Sequence, residues 1–201
     1  MTRKYPTPKI PEEHVIPLAQ LVAQTSWLPH PDTVEAFGGA VFPALRARKG
    51  KTRLSHCLEA GEPIGMYDDN ATPAWALFWS HGIIKGARPK GWTVAHVWPE
   101  TDCLHSYTHL ANLALIPECF GSLTDKTGPL TTFLRWHAWA AYQWKPGSTA
   151  PPQKPDGYES LTWRYFENTA DPKALIRKMV TESDNQRTKI LRPIMERNGM
   201  L

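Results

Sequence analysis

Between Trp92 and Lys126 the chain carries two short apolar runs that have to be solved together. The first, Trp92-Thr93-Val94-Ala95, ends in His96-Val97-Trp98-Pro99, and the second, Leu113-Ala114-Leu115-Ile116-Pro117, opens behind Asn112. Each is too short for a stable helix, and a polar stretch separates them, so they read as two strands joined by a loop. Ser122-Leu123-Thr124-Asp125-Lys126 then reads as the start of a helix. Antiparallel neighbours lie about 5 Å apart, so a histidine ending the first strand and an asparagine opening the second are expected to meet across the hairpin.

Those residues resemble the ββα-metal motif of HNH endonucleases. The likeness is to the branch whose first strand reads Asp-His-Ile-x-Pro and whose second reads Asn-Leu-x-Leu-x-Pro before a Ser-Leu-x-Asn/Asp-Lys helix. Ala95-His96-Val97-Trp98-Pro99 matches the first part at four positions, Asn112 to Pro117 matches the second, and Ser122 to Lys126 matches the helix start. The resemblance covers about thirty-five of the 201 residues. It implies that His96 is the general base activating water for attack on a phosphodiester, that Asn112 orients the site, and that an acidic residue before the histidine holds a divalent cation. Here that residue is Ala95, which has no ligand atom. The family's last position, a His or Asn on the helix, falls near Gly121 or Ser122, and Asp125 is the nearest oxygen ligand. The resemblance therefore implies Mg²⁺ or Mn²⁺ on Asp125, with the loop residues His105 and His109 as candidates to replace the ligand lost at Ala95. A Zn²⁺ site drawing on Cys103, His105 and Cys119 is the less favoured alternative, because no CxxC pair exists. Each candidate also has an ordinary reading: His96 as a hydrogen-bonded strand end, Asn112 as a turn cap, His105 as a solvated loop residue.

Charge is distributed unevenly around a net value of +4. From Lys173 to Leu201 seven basic residues, among them Arg187, Lys189, Arg192 and Arg197, face three acids. A second basic run, Arg46, Arg48, Lys49, Lys51 and Arg53, contains no acid. Both suit a phosphate backbone, whose affinity comes from neutralised phosphates and counterion release, so DNA is the expected partner. Taken alone, either patch reads slightly more readily as a solvated helix face or a basic loop. Gly50-Lys51-Thr52 is not a phosphate loop, since the required upstream glycine would fall on Leu45. Three cysteines form no paired framework, and Met1 to Pro6 lacks the apolar core of a signal peptide, so an intracellular, reducing setting without membrane spans is expected.

Hydrophobic residues at 41% support a real core, and most of the nine tryptophans are expected in it. After a proline-rich arm containing Pro6 and Pro8, a short helix is expected over Val15 to Val22. A second should start at an Asp32 cap and stop at Gly38-Gly39, and a third should run from Phe42 to Arg48. Ile64 to Tyr67 and Trp75 to Trp79 read as strands separated by an Asp68-Asp69-Asn70 turn. Leu130 to Trp144 reads as a long helix with His137 on its packed face. Residues 146–157, which include Ser148, read as a linker between a main domain (1–145, with the HNH-like unit at 92–145) and a C-terminal extension (158–201). Tyr158 to Phe166 is expected to pair as a strand, and Asp171-Pro172 to open a helix. The last segment is either a helical hairpin on the core or an arm for a homodimer. The expected class is α+β, with a central ββα-metal-like unit, a helical N-terminal arm and a basic helical extension. The function expected from the resemblance is an HNH-like, metal-dependent endonuclease acting on DNA, of phage, restriction or mobile-element type. The alternative is a catalytically degenerate nucleic-acid-binding or interaction protein that keeps the fold.

Overall fold

The computed structural model describes residues 10–83, 89–125, 128–147 and 149–201; Lys126, Ser148, Pro6 and Pro8 lie outside them. Among these residues the fold is mixed α+β, with seven helices and two small sheets.

The strand Leu113–Pro117, β5, explains the centre of the molecule. Its side chains alternate between two faces, yet all but the last are buried. Leu113 and Leu115 pack into the larger core with the C-terminal helices, whereas Ala114 and Ile116 pack into a second core with Leu134 and Ala138. An apolar run without polar alternation is what a strand covered on both faces requires. Trp92–His96, β4, pairs antiparallel with one edge of β5, and Trp27 exchanges backbone hydrogen bonds of 2.9 Å with Leu115 on the other. The Trp27-Leu28 segment in turn contacts Tyr165 through a single bridge, Leu28↔Tyr165.

The second sheet has the order β1-β3-β2, from Ala44–Arg46 (β1), Ser55–Glu59 (β2) and Glu62–Asp68 (β3). The expected helix over Phe42 to Arg48 instead holds the strand β1, an edge strand parallel to β3, and Val41 to Leu45 are all buried. The expected strand at Trp75 to Trp79 is instead helix α3, Ala71–Trp79. A short apolar run carries no decisive period, and Asp68, whose carboxylate accepts the Thr72 amide at 2.7 Å, supplies the helix start. Gly65 in β3 permits close packing of the long loop between β4 and β5, because a Cβ there would sit 2.5 Å from the Leu104 side chain and 2.9 Å from the Pro43 carbonyl.

Helix α1, Glu12–Thr25, is longer than expected and carries Pro17 inside it. Helix α2, Pro31–Phe37, is capped by His30 rather than Asp32, and Gly38, at φ +63°, ends it as expected. The short α4, Gly121–Thr124, follows β5, and α5, Thr131–Tyr142, is the long helix anticipated there. Tyr158 to Phe166 does not pair as a strand beyond the one bridge; it begins as a 3-10 turn, Tyr158–Ser160, because Tyr158, Leu161 and Trp163 are drawn onto the core between α1 and α5. Asp171 caps α6, Pro172–Glu182, by accepting the Ala174 amide at 2.9 Å. Helix α7, Gln186–Arg197, returns against it, and Ile176, Val180, Leu191 and Met195 are buried in the larger core. The C-terminal segment is a helical hairpin seated on the rest of the chain. No helix among the described residues is long and apolar enough to cross a membrane.

Three histidines are buried within this framework. His81 donates from Nδ1 to the Leu77 carbonyl (2.7 Å) while its Nε2 accepts the His30 amide (3.1 Å). His137 lies between the hydroxyls of Tyr158 (2.8 Å) and Tyr165 (3.0 Å), and His109 stacks on Trp144. Burial pushes the pKa of each down to about 4 from 6.5. The unfolded chain takes up protons near pH 6.5 while the fold stays neutral. Stability is thus complete above 6.5 and is lost as pH falls toward 4, by up to about 1.4 kcal/mol per pH unit for each histidine. Urea melts across this interval should show that loss, reduced in His137→Gln; a flat profile would contradict it.

Candidate functional site

The β4–β5 register runs from Trp92↔Pro117 to His96↔Leu113, so the expected hairpin is present with His96 at its open end. Asn112 sits one residue before β5 and is fully buried. Its side-chain oxygen accepts the Trp98 amide at 2.8 Å, its side-chain nitrogen donates to the Ser106 carbonyl at 3.0 Å, and its carbonyl accepts the Val97 amide at 2.9 Å. Asn112 therefore clamps the exit of β4 to the returning loop, a role that needs both halves of a carboxamide.

His96 is half-buried, and its Nε2 lies 3.0 Å from the Tyr107 carbonyl. A carbonyl can only accept, so Nε2 carries the hydrogen, and Nδ1 is the nitrogen that bears the lone pair in the neutral tautomer. The ring also stacks on Tyr107, with centroids 5.2 Å apart and planes 10° from parallel. Tyr107 is itself wholly buried; its hydroxyl accepts the Asn70 amide at 2.8 Å and lies 3.2 Å from the Asn70 side-chain oxygen and 3.5 Å from Asp68 Oδ2. Burial, reinforced by the Asp68 charge, raises the phenol far above its ordinary pKa, so it remains protonated.

Asp68 anchors this chain of contacts. Fully buried, it accepts from Thr72 N (2.7 Å) and Oγ1 (2.8 Å) on one oxygen and from Arg187 Nε (2.9 Å) on the other. Arg187 also binds Asp69 and lies over the Trp75 ring at 5.9 Å. The C-terminal helix is thereby connected to the histidine at the end of β4. From the sequence Asp68 reads as a turn residue or, less readily, a metal ligand, because contacts spanning 39 and 119 positions leave no local signal.

A groove of about 230 Å³ opens over this hairpin. Arg46, Asn70, Ala95, His96, Thr101 and Asp125 contribute to its walls. His96 and Asp125 thus share one groove with Ala95. The loop histidines do not line it. His105 is exposed, and His109 lies in the wall of a separate cavity of about 420 Å³, its Nδ1 accepting the Ala111 amide at 3.2 Å. Cys103 and Cys119 are free thiols, and among the described residues no group of three His, Cys, Asp or Glu side chains is placed to hold a metal ion.

The basic residues divide in the same way. Arg187 is held by Asp68 and Asp69, Lys189 by Asp184 at 3.0 Å, and Arg197 by Glu62 at 3.0 Å and the Pro63 carbonyl. Arg192 binds the Val180, Thr181 and Ser183 carbonyls at the end of α6, at 2.9, 2.9 and 3.1 Å. The Arg46–Arg53 run makes exposed pairs of the same kind as those of Lys189 and Arg197: Arg48 meets Asp102 at 3.2 Å and Arg53 meets Asp69 at 2.8 Å, and Lys51 lies over Tyr67. Exposed pairs of this kind contribute about 0 to 1 kcal/mol and yield readily to a phosphate.

Arg187→Met should destabilise the fold by about 3–5 kcal/mol, since it leaves a buried carboxylate without its counter-charge. Denaturant unfolding measures this directly, and a loss below about 0.5 kcal/mol would mean that the pair is dispensable. Compared with models of known families, with curated proteins and with solved structures, the chain finds no match, and the functional reading rests on the groove's own residues.

Proposed function

We propose that the groove binds a DNA phosphodiester and hydrolyses it in the manner of the ββα-metal nucleases that the sequence resembles. The observation that carries this reading is His96, oriented by the Tyr107 carbonyl at 3.0 Å so that its basic nitrogen is Nδ1, in the wall of a groove it shares with Asp125. In the proposed reaction Nδ1 takes a proton from water as the water oxygen attacks phosphorus. The P–O bond to the leaving sugar oxygen breaks, and that oxygen is protonated from solvent. Asn112 acts indirectly, by holding the ends of both strands.

A divalent cation is the cofactor that the resemblance implies. The residues present do not fit a dedicated centre: Asp125 and His96 line the groove, Ala95 offers nothing, and no third ligand joins them among the described residues. Ala95 also favours a second reading, a nucleic-acid-binding protein that keeps this arrangement without cleaving.

Purified protein should nick plasmid DNA in Mg²⁺ or Mn²⁺, and His96→Ala should abolish nicking while the melting temperature stays near wild type. Equal nicking by the variant would remove His96 from the chemistry, and no nicking by either protein would favour the binding reading.

The backbone of the DNA is proposed to follow the Arg46–Arg53 run outward from the groove, because that run continues from the groove wall at Arg46, whereas Arg187 and Arg192 of the tail are held by buried Asp68 and by the carbonyls at the end of α6. Replacing Lys49 and Lys51 by Gln should reduce the salt dependence of log K by about 0.9 for each phosphate no longer neutralised. The same change at Lys189 and Arg197 should leave that slope unaltered in fluorescence anisotropy. The opposite pattern would place the DNA on α7.

A further inference from the structure

The groove contains a cation of its own at the place where the family's acidic ligand is missing. Arg46 ends β1, its backbone fixed by an amide bond of 2.8 Å to the Thr101 carbonyl and by parallel pairing opposite Asp68. Its side chain is half-buried in the groove wall. The natural counter-ion, Asp68, is already saturated by Thr72 and Arg187. The Arg46 guanidinium has no hydrogen-bond or ion-pair partner among the described residues. Partial removal of a guanidinium from water without a partner costs free energy, and an anion bound in the groove restores the missing hydrogen bonds.

We infer that Arg46 is the phosphate-binding cation of this groove, occupying electrostatically the place that a carboxylate-held divalent metal fills in sites with an acid at the position of Ala95. A carboxylate plus a divalent cation brings a single net positive charge to the phosphate; Ala95 plus Arg46 brings the same. A planar guanidinium also grips two phosphate oxygens at once, which a lysine cannot do. Thr101, buried in the same wall, and the exposed side-chain amide of Asn70 add donors beside it. The ligand class is a phosphodiester or terminal phosphate of a nucleotide, taken up without a metal. This inference rests on the phosphodiester reading of the groove but does not require that the bond be cleaved.

The test uses the full chain, deoxythymidine 3′,5′-bisphosphate as probe and EDTA throughout, with binding followed by calorimetry. This probe is too small to span the basic run. Wild type should bind it one-to-one, and Arg46→Gln should weaken binding about ten-fold or more. Arg46→Lys, which keeps the charge and loses the fork, should fall between them and serves if the Gln variant does not fold. Lys178→Gln, exposed on α6 and outside the groove, should stay within about two-fold of wild type. The double variant Ala95→Asp with Arg46→Gln should recover binding only when Mg²⁺ replaces EDTA. Failure of wild type to bind without Mg²⁺, or unchanged affinity in both Arg46 variants, would overturn the inference. Metal-free binding without plasmid nicking would sustain it while removing the hydrolytic reading.

Discussion

The buried carboxylate of Asp68 is the interaction on which the arrangement of this molecule depends. A charge out of water persists only when hydrogen bonds and a counter-charge replace its hydration. Asp68 obtains them from three parts of the chain: Thr72 at the start of α3, Arg187 on α7, and, more distantly, the Tyr107 hydroxyl in the β4–β5 loop. One side chain at the end of β3 thereby fixes where a helix begins, where the C-terminal hairpin docks, and how the long loop crosses the first sheet. The apolar packing of α6 and α7 on the core provides most of the attraction, but apolar attraction is not directional. The ion pair supplies the register.

The groove follows from that register. Tyr107 is held at its hydroxyl by Asn70 and approaches Asp68, and its ring and carbonyl set the plane and the tautomer of His96. Gly65 allows the loop that carries Tyr107 to lie close on β3, and Asn112 joins the other end of the same loop to β4. A histidine on the final residue of a two-stranded edge would otherwise sample several rotamers. Here its ring has a fixed donor atom and a fixed stacking partner, which is the kind of preorganisation that a general base requires.

The hairpin, the long helix α5 and the Asp171 cap of α6 are legible in the sequence because each is local: short apolar runs bounded by polar turns, a three- to four-residue period, an Asp-Pro pair. Two short apolar stretches mislead, Phe42 to Arg48 reading as helix and Trp75 to Trp79 as strand. In both, the deciding interaction lies elsewhere in the chain, with β3 covering one and Asp68 capping the other. The site is half legible. His96, Asp125 and Arg46 stand out from the sequence, and the groove brings all three together. His105 and His109 stand out equally, yet the fold sends one to solvent and the other into packing against Trp144. Spacing in a loop says nothing about which way each imidazole turns.

Charge shows the same difference between counting and placement. The tail carries an excess equal to the net charge of the whole chain, and by composition it is the stronger candidate for a phosphate surface. Its arginines nevertheless have structural work: Arg187 neutralises a buried acid and Arg192 satisfies carbonyls at the end of α6. Removing either from its partners to reach a phosphate would leave buried polar groups unpaired, at a cost comparable to what the new phosphate bond supplies. Arg46 has no such obligation among the described residues, and Arg48 and Arg53 make only exposed pairs. A cation is available to a ligand in proportion to how weakly the fold already holds it. By that criterion the proposed anion-binding surface runs from the groove along Arg46 to Arg53, and Arg187 and Arg192 of the larger basic cluster belong to the architecture.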